Sequence, residues 1–178
     1  HGSERYVAEQ VETVKELAGM NGGGEFRWAE RTEDRNALWK ARHDSYYASL
    51  ALRPGAKAWT TDACVPISRL ADCIVASKQD LDESFLTGTL VGHVGDGNFH
   101  MLYLVDPDRP EEMAEAKRLN ERLVYRAIEM GGTCSGEHGV GIGKMRYLPR
   151  EHGEGLDAMR AIKRALDPKN LLNPGKIL

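Results

Sequence analysis

The stretch from residue 90 to residue 105 limits the fold of this chain more than any other. Two apolar segments, Leu90–Val94 and Phe99–Val105, flank the loop sequence Gly95-Asp96-Gly97-Asn98. Glycine, aspartate and asparagine favour the backbone conformations of tight turns, so we predict two antiparallel strands joined as a hairpin. Because Phe99–Val105 is apolar at nearly every position, we expect a central strand in a sheet covered on both faces.

Each predicted strand carries a histidine, and the predicted register brings the two together. If Val94 faces Phe99, His93 lies directly opposite His100. Cross-strand partners have Cβ atoms about 4.5–5.5 Å apart, close enough for two imidazoles to bind one metal ion. A shift of one residue would put them on opposite faces of the sheet. The alternative is that both histidines only flank a turn.

The rest of the chain alternates helical periodicity with short strand patterns. We predict helices from Ser3 to Asn21, from Thr32, from Pro66, over Pro110–Met130 and over Leu156–Leu166, with further strands at Phe26–Trp28, Lys57–Val65 and Thr133–Ser135. This order predicts an α+β fold, with a mostly antiparallel sheet and helices packed on one face. Since no long linker or repeat interrupts the pattern, we expect residues 1–178 to form a single domain.

Composition excludes several classes of function. The net charge of −3 gives no reason to expect nucleic acid or an anionic membrane as a partner. No apolar run is long enough to span a bilayer, and the N-terminal residues do not resemble a secretory signal. The three cysteines, Cys64, Cys73 and Cys134, lack metal-ligand spacing and are expected to be reduced thiols. We therefore expect a cytoplasmic or mitochondrial protein.

The loop Gly136-Glu137-His138-Gly139 is a second concentration of chemical groups. Glu137 can complete a set of two histidines and one glutamate that leaves a coordination position open. The side chain of His138 is expected to point away from Glu137, which suits a base beside the metal better than a ligand. The alternative is that both side chains lie in a solvated loop.

Two basic residues complete the candidates. Arg42 shares a predicted helix face with Leu38 and Tyr46, and either forms a surface ion pair or binds a carboxylate with its guanidinium. Lys144 supplies positive charge near the second loop, although an isolated lysine is commonly a surface residue.

Three segments, Gly92–His100, Gly136–Gly141 and Leu166–Lys176, together resemble the C-terminal domain of FAD-linked oxidases of the vanillyl-alcohol-oxidase type. That group includes D-lactate dehydrogenase, the FAD subunit of glycolate oxidase and D-2-hydroxyglutarate dehydrogenase. Leu38–His43 and Arg53–Leu70 are most similar to the cytochrome-type D-lactate dehydrogenases. The resemblance covers essentially the whole chain and implies a ferredoxin-like cap domain.

The resemblance also implies roles for individual residues. His93, His100 and Glu137 match divalent-metal ligands, for zinc or manganese, and His138 matches the base that takes the hydroxyl proton as hydride moves to the flavin. The positions that match substrate or flavin contacts are Arg42 and Tyr46 for the substrate carboxylate, Thr60 and Lys144 for the substrate pocket, and His138 and Asn173 for FAD. Thr60 and Leu102 stand where hydroxyglutarate enzymes carry lysine and asparagine, which favours a small monocarboxylate such as D-lactate.

The implied protein is a flavin-dependent D-2-hydroxyacid dehydrogenase that forms the 2-keto acid and passes electrons to a cytochrome, quinone or flavoprotein. The glycines at 22–24 follow a predicted helix and do not open one, so they are not a dinucleotide-binding loop. We expect a fragment without its N-terminal FAD-binding domain, inactive by itself and able to dimerise through its exposed face. The alternatives are a self-contained metallohydrolase and a non-catalytic assembly domain.

Overall fold

A computed structural model describes residues 2–178, so His1, the first residue of the predicted domain, lies outside the described range. The chain divides into two compact units, one up to Tyr46 and the other from Tyr47 to Leu178. The expectation of a single domain stays a prediction.

The first unit is helical. Helix α1 (Glu4–Met20) begins where predicted, because the Ser3 hydroxyl accepts a hydrogen bond from the Tyr6 N–H. Helix α2 (Thr32–Ala51) begins in this unit and ends in the second. The strand predicted at Phe26–Trp28 is wrong: residues 26–30 have no strand conformation. A short alternating segment becomes a strand only where another strand offers it backbone hydrogen bonds.

The second unit contains an antiparallel sheet built around one long strand. The strands are β1 (Lys57–Thr60), β2 (Ala63–Cys64), β3 (Thr87–His93) and β4 (Asn98–Val105). Strand β4 pairs with β3 along one side and with β1 and β2 along the other. All of its residues are buried, which confirms the predicted central position. The single strand predicted over Lys57–Val65 is divided at Thr61 and Asp62.

Two helices cover one face of this sheet. Helices α3 (Ile67–Asp82) and α4 (Pro110–Glu129) pack against the side chains of Phe99, Met101 and Tyr103 through buried leucines such as Leu70 on α3 and Leu119 on α4. Because side chains alternate along a strand, Asn98, His100 and Leu102 point to the other face. The fold is therefore α+β, as predicted.

The C-terminal part of the chain builds a second, smaller core. Helices α5 (Leu148–His152) and α6 (Gly155–Leu166) contribute Leu148 and Leu156, which pack with Val124 and Cys134. The strand expected over Thr133–Ser135 is reduced to one bridge between Thr133 and Cys64. Among residues 2–178, none of the helices combines the length and the apolar character needed to cross a membrane.

Candidate metal and substrate site

The hairpin forms, but in a different register from the one predicted. His93 pairs with Asn98, and His100 pairs with Val91, because the four-residue turn, a short 3-10 helix over Val94–Asp96 followed by Gly97, begins one residue earlier than predicted. The pairing is thus shifted by two residues from the predicted one. Since side chains alternate with a period of two, an even shift leaves both histidines on the same face. Their ring centroids lie 5.9 Å apart.

Backbone contacts fix the orientation of His100. Its Nδ1 lies 2.8 Å from the carbonyl oxygen of Thr61. A carbonyl only accepts hydrogen bonds, so Nδ1 donates to Thr61, and Nε2 is the ring nitrogen left to bind a metal ion. Nε2 faces Glu137 Oε1 at 2.9 Å. His100 is buried, and this arrangement is the one in which a backbone carbonyl orients a metal-binding imidazole.

Glu137 brings a third donor to the two histidines. Its Oε1 lies 3.5 Å from His93 Nε2 and 2.9 Å from His100 Nε2. A zinc ion with ligands at 2.0–2.1 Å would separate neighbouring ligand atoms by roughly 3.3 Å in a tetrahedron. The two nitrogens and one oxygen therefore have the chemistry and the spacing of a divalent-metal site, and all three lie within 4.8 Å of one another.

His138 does not point away from Glu137 as expected. Its Nε2 lies 3.6 Å from Glu137 Oε1, and its ring centroid is 5.5 Å from that of His100. The expectation assumed an extended chain, whereas residues 136–138 form an irregular loop in which consecutive side chains converge. With 63% of its side chain exposed, His138 is the most accessible of these groups.

Asp62, which the sequence analysis did not single out, holds this loop in place. Its carboxylate accepts hydrogen bonds from the N–H groups of Gly136, Glu137 and His138 at 3.0–3.1 Å, and from Lys144 Nζ at 2.6 Å. Burial raises the pKa of Asp62, but the bonds from Lys144 and the backbone outweigh it and lower the pKa from 3.8 to about 2. Asp62 is therefore a fixed negative charge beneath the loop.

A sequence signal for Asp62 did exist. It is an acidic residue within the otherwise strand-forming segment Lys57–Val65 and is followed directly by Ala63, Cys64 and Val65. A carboxylate enclosed by apolar residues needs specific donors, so such a position indicates a buried interaction with another part of the chain.

Asp62, His100 and His138 form a second group whose ligand atoms lie within 4.8 Å. In that group both carboxylate oxygens of Asp62 already accept hydrogen bonds from the backbone of residues 136–138, and Oδ2 also from Lys144. A metal ion would have to displace these donors. The group with His93, His100 and Glu137 is therefore the better candidate for a metal site.

Comparison with known proteins bears on the chemistry of this site. Residues 1–177 match the family described as FAD linked oxidases, C-terminal domain. The chain belongs to this family. The resemblance stated from the three motifs is thereby confirmed.

Several curated relatives match almost the whole of this oxidase domain. It is 51% identical over 179 residues to the probable mitochondrial D-lactate dehydrogenase of Danio rerio, covering 100% of this chain and 36% of the relative. It is 47% identical to the mitochondrial D-lactate dehydrogenase [cytochrome] of Arabidopsis thaliana (99% and 31%). It is 35% identical to glycolate oxidase subunit GlcD of Bacillus subtilis (96% and 36%). The chain spans about a third of the length of these relatives.

The other predicted site residues of the oxidase domain lie in different places. Thr60 is exposed at the end of β1, opposite Leu102 and on the same sheet face as His100. Lys144 Nζ contacts the Asp62 carboxylate, the Asp62 carbonyl at 3.3 Å and Ser135 Oγ at 3.2 Å, so each of its three N–H groups has a protein acceptor. Direct substrate binding by Lys144 stays a prediction.

Asn173 lies in the C-terminal tail, in a left-handed conformation with φ of 45°. The tail is tied to the loop after the site, because the Ile177 N–H donates to the Gly141 carbonyl at 3.0 Å. Asn173 lines a surface cavity with Lys163 and Asp167 rather than the metal site. Its contact with FAD stays a prediction.

Arg42 and Tyr46 belong to the first unit, on α2. Arg42 is half-buried, and its guanidinium lies 3.4 Å from the Ser45 hydroxyl. The four-residue spacing of Arg42 and Tyr46 on one helix places both on the same face, as predicted. Their contact with a substrate stays a prediction.

Proposed function

We propose that this domain binds a divalent cation and a D-2-hydroxyacid within a flavin-dependent dehydrogenase that oxidises a substrate such as D-lactate to the 2-keto acid. The observation that carries the proposal is the convergence of His93, His100 and Glu137, with His138 beside them. Membership of the FAD-linked oxidase family supports the redox class. The relatives named as D-lactate dehydrogenases support the substrate class.

In the proposed reaction His138 removes the hydroxyl proton of the substrate. Its exposed imidazole suits that role, since the group has to meet a substrate that enters from solvent. A zinc or manganese ion held by His93, His100 and Glu137 would supply a positive charge that lowers the pKa of the substrate hydroxyl. FAD would accept the hydride from the substrate carbon.

Arg42 is proposed to bind the substrate carboxylate, with Tyr46 one helical turn further along. A guanidinium forms two parallel hydrogen bonds to a carboxylate, which fixes the orientation of the acid as well as its position. Thr60 and the buried Leu102 add no charge to the face that carries His100. This supports a small monocarboxylate, because a second carboxylate would be left without a cationic partner.

The proposed partners follow from the same reaction. An N-terminal domain would bind most of the FAD, with Asn173 as a contact from this chain, and a cytochrome, quinone or flavoprotein would reoxidise it. A homodimer is compatible with this arrangement. We propose a cytoplasmic or mitochondrial location, with the zebrafish and Arabidopsis relatives carrying the word mitochondrial in their names.

The test combines metal analysis with flavin reduction in the full-length flavoprotein. We expect His100→Ala to lose bound zinc or manganese. We expect His138→Ala to keep the metal and to reduce its flavin with D-lactate at least ~100-fold more slowly, the usual contribution of a general base. His152→Ala, at the end of α5 beside Glu151, is the matched control and should behave as wild type.

Three results would contradict the proposal. Loss of metal in His138→Ala would mean that base and ligand are misassigned. Absence of metal from the purified wild-type protein would favour a non-catalytic assembly role. Hydrolysis of an ester or amide without flavin reduction would favour the metallohydrolase alternative.

A further inference from the structure

Two consecutive buried residues connect both halves of the candidate site. Thr61 and Asp62 lie at the break between β1 and β2 and are 1% and 5% exposed. Thr61 stays in register with β4: its N–H donates to the Met101 carbonyl at 2.9 Å, and its hydroxyl accepts from the Met101 N–H at 2.9 Å. Its carbonyl is thereby held against His100 Nδ1.

Asp62 points from the same break to the other half of the site. The N–H groups of Gly136, Glu137 and His138 all converge on its carboxylate. Three consecutive backbone donors directed at one carboxylate fix the course of the loop, because each bond restrains a separate peptide group. The side chains of Glu137 and His138 leave the backbone at positions that Asp62 determines.

Lys144 completes the arrangement. Its ammonium lies 2.6 Å from Asp62 Oδ2, with only 4% of the Asp62 side chain and 20% of the Lys144 side chain exposed. A buried carboxylate without a cation would be costly, so Lys144 makes the buried position of Asp62 possible. It also contacts the hydroxyl of Ser135, the residue that directly precedes the loop.

We infer that Asp62, neutralised by Lys144, is the positioning residue of the metal site: it holds Glu137 and His138 in register with His100, whose orientation the adjacent Thr61 carbonyl sets. This inference rests on the proposed metal site and assigns Lys144 a supporting role rather than a direct contact with substrate. It predicts that metal affinity depends on a residue that is not a ligand.

The experiment measures zinc affinity by competition with a chromophoric chelator. Asp62→Asn keeps the size of the side chain but replaces one acceptor oxygen with a donor. We expect its zinc affinity to fall 10- to 100-fold, the usual effect of removing a partner that orients a ligand. Glu137→Gln, which removes a proposed ligand, should lose more.

Asp80→Asn is the matched control. Asp80 is also a buried carboxylate paired with arginines, Arg122 and Arg126, but it lies on α3 at the other face of the sheet. The zinc affinity of this variant should stay within about threefold of wild type, since substitutions at distant sites affect free energies independently. An equal fall in Asp80→Asn and Asp62→Asn would mean general destabilisation and would overturn the inference.

Bound Co²⁺ distinguishes positioning from ligation. Cobalt-saturated Asp62→Asn should show the visible absorption bands of the wild-type protein, because the ligand set is unchanged. Altered bands would mean that Asp62 is itself a ligand, and wild-type zinc affinity in Asp62→Asn would mean that it positions nothing; either result overturns the inference.

Lys144→Gln is a second variant, useful if Asp62→Asn does not fold. It leaves the three backbone donors on Asp62, so we expect a smaller loss of zinc affinity, roughly 3- to 10-fold. Unchanged affinity would refute the role of Lys144. If the wild-type protein itself binds no zinc, the proposed function fails at its metal site, which is a result distinct from all of these.

Discussion

Replacing Gly97 with alanine is expected to destabilise the protein strongly, although only a methyl group is added. Gly97 ends the 3-10 turn of the hairpin with φ of 75°, in the left-handed region. A Cβ at this position would lie 2.0 Å from the carbonyl oxygen of Val65. Neither the conformation nor the space therefore suits a side chain.

The magnitude follows from these two conflicts. The left-handed conformation costs a residue with a side chain about 1–2 kcal/mol relative to glycine. Moving Val65 away disturbs the hydrogen bond from its N–H to the Gly97 carbonyl, now 3.0 Å long, and the net value of such a bond is about 0.5–1.5 kcal/mol. We expect the free energy of unfolding to fall by about 1.5–3.5 kcal/mol in total.

The assay is urea denaturation followed by circular dichroism, with Gly95→Ala as control. Gly95 lies in the same turn, but a Cβ there has no atom within 4 Å. Its variant should stay within about 0.5 kcal/mol of wild type. Because this turn joins the strands that carry His93 and His100, Gly97→Ala should also weaken zinc binding. Equal midpoints for the two variants at equal m-values would refute this reasoning.

Three further predictions concern acid stability, thiol reactivity and substrate choice. Hydrogen bonds from Arg53 lower the pKa of the buried Glu112 from 4.5 to about 2, and Arg109 also faces this carboxylate. The ionised carboxylate therefore stabilises the protein above pH 4.5, and this contribution is lost as the pH falls toward 2. The urea midpoint of Glu112→Gln should decline less steeply over that pH range than the midpoint of wild type, and parallel curves would contradict the assignment. Burial raises the pKa of the Cys134 thiol to about 12. An aromatic disulfide reagent should therefore modify the half-buried Cys64 first and Cys134 only when the protein unfolds. Rapid modification of Cys134 in the native state would count against the described packing. Thr60→Lys adds a cation on the sheet face that carries His100. We expect kcat/KM for D-2-hydroxyglutarate, divided by kcat/KM for D-lactate, to rise at least ~10-fold. An unchanged ratio would place Thr60 outside the pocket.

The sequence predicts the local elements of this fold well and its long-range pairings poorly. Periodicity identifies α1 and α4 because each has a capping or opening residue, Ser3 or Pro110, and a regular apolar spacing. The strand at Phe26–Trp28 fails for the opposite reason, since its alternation had no neighbouring strand to pair with. Strand formation depends on partners that are distant in the sequence.

The hairpin illustrates the same limit at the site. Its existence and both histidines follow from the sequence, but the register depends on the residue at which the turn begins. The four-residue turn begins at Val94 instead of Gly95, which shifts the pairing by two residues, and this even shift keeps both histidines on one face. The partners of Asp62 could not be identified from the sequence for a different reason: they lie 74–82 residues further along the chain.

The separation between Asp62 and its loop has a consequence for folding kinetics. The hairpin that carries His93 and His100 is local and needs little chain entropy to form, whereas the contact from Asp62 to His138 closes a segment of 76 residues. Such non-local contacts are made late, after local structure has formed. Before that step a cation would find two imidazoles and no third ligand. Zinc in the refolding buffer should therefore leave the folding rate unchanged and slow unfolding instead.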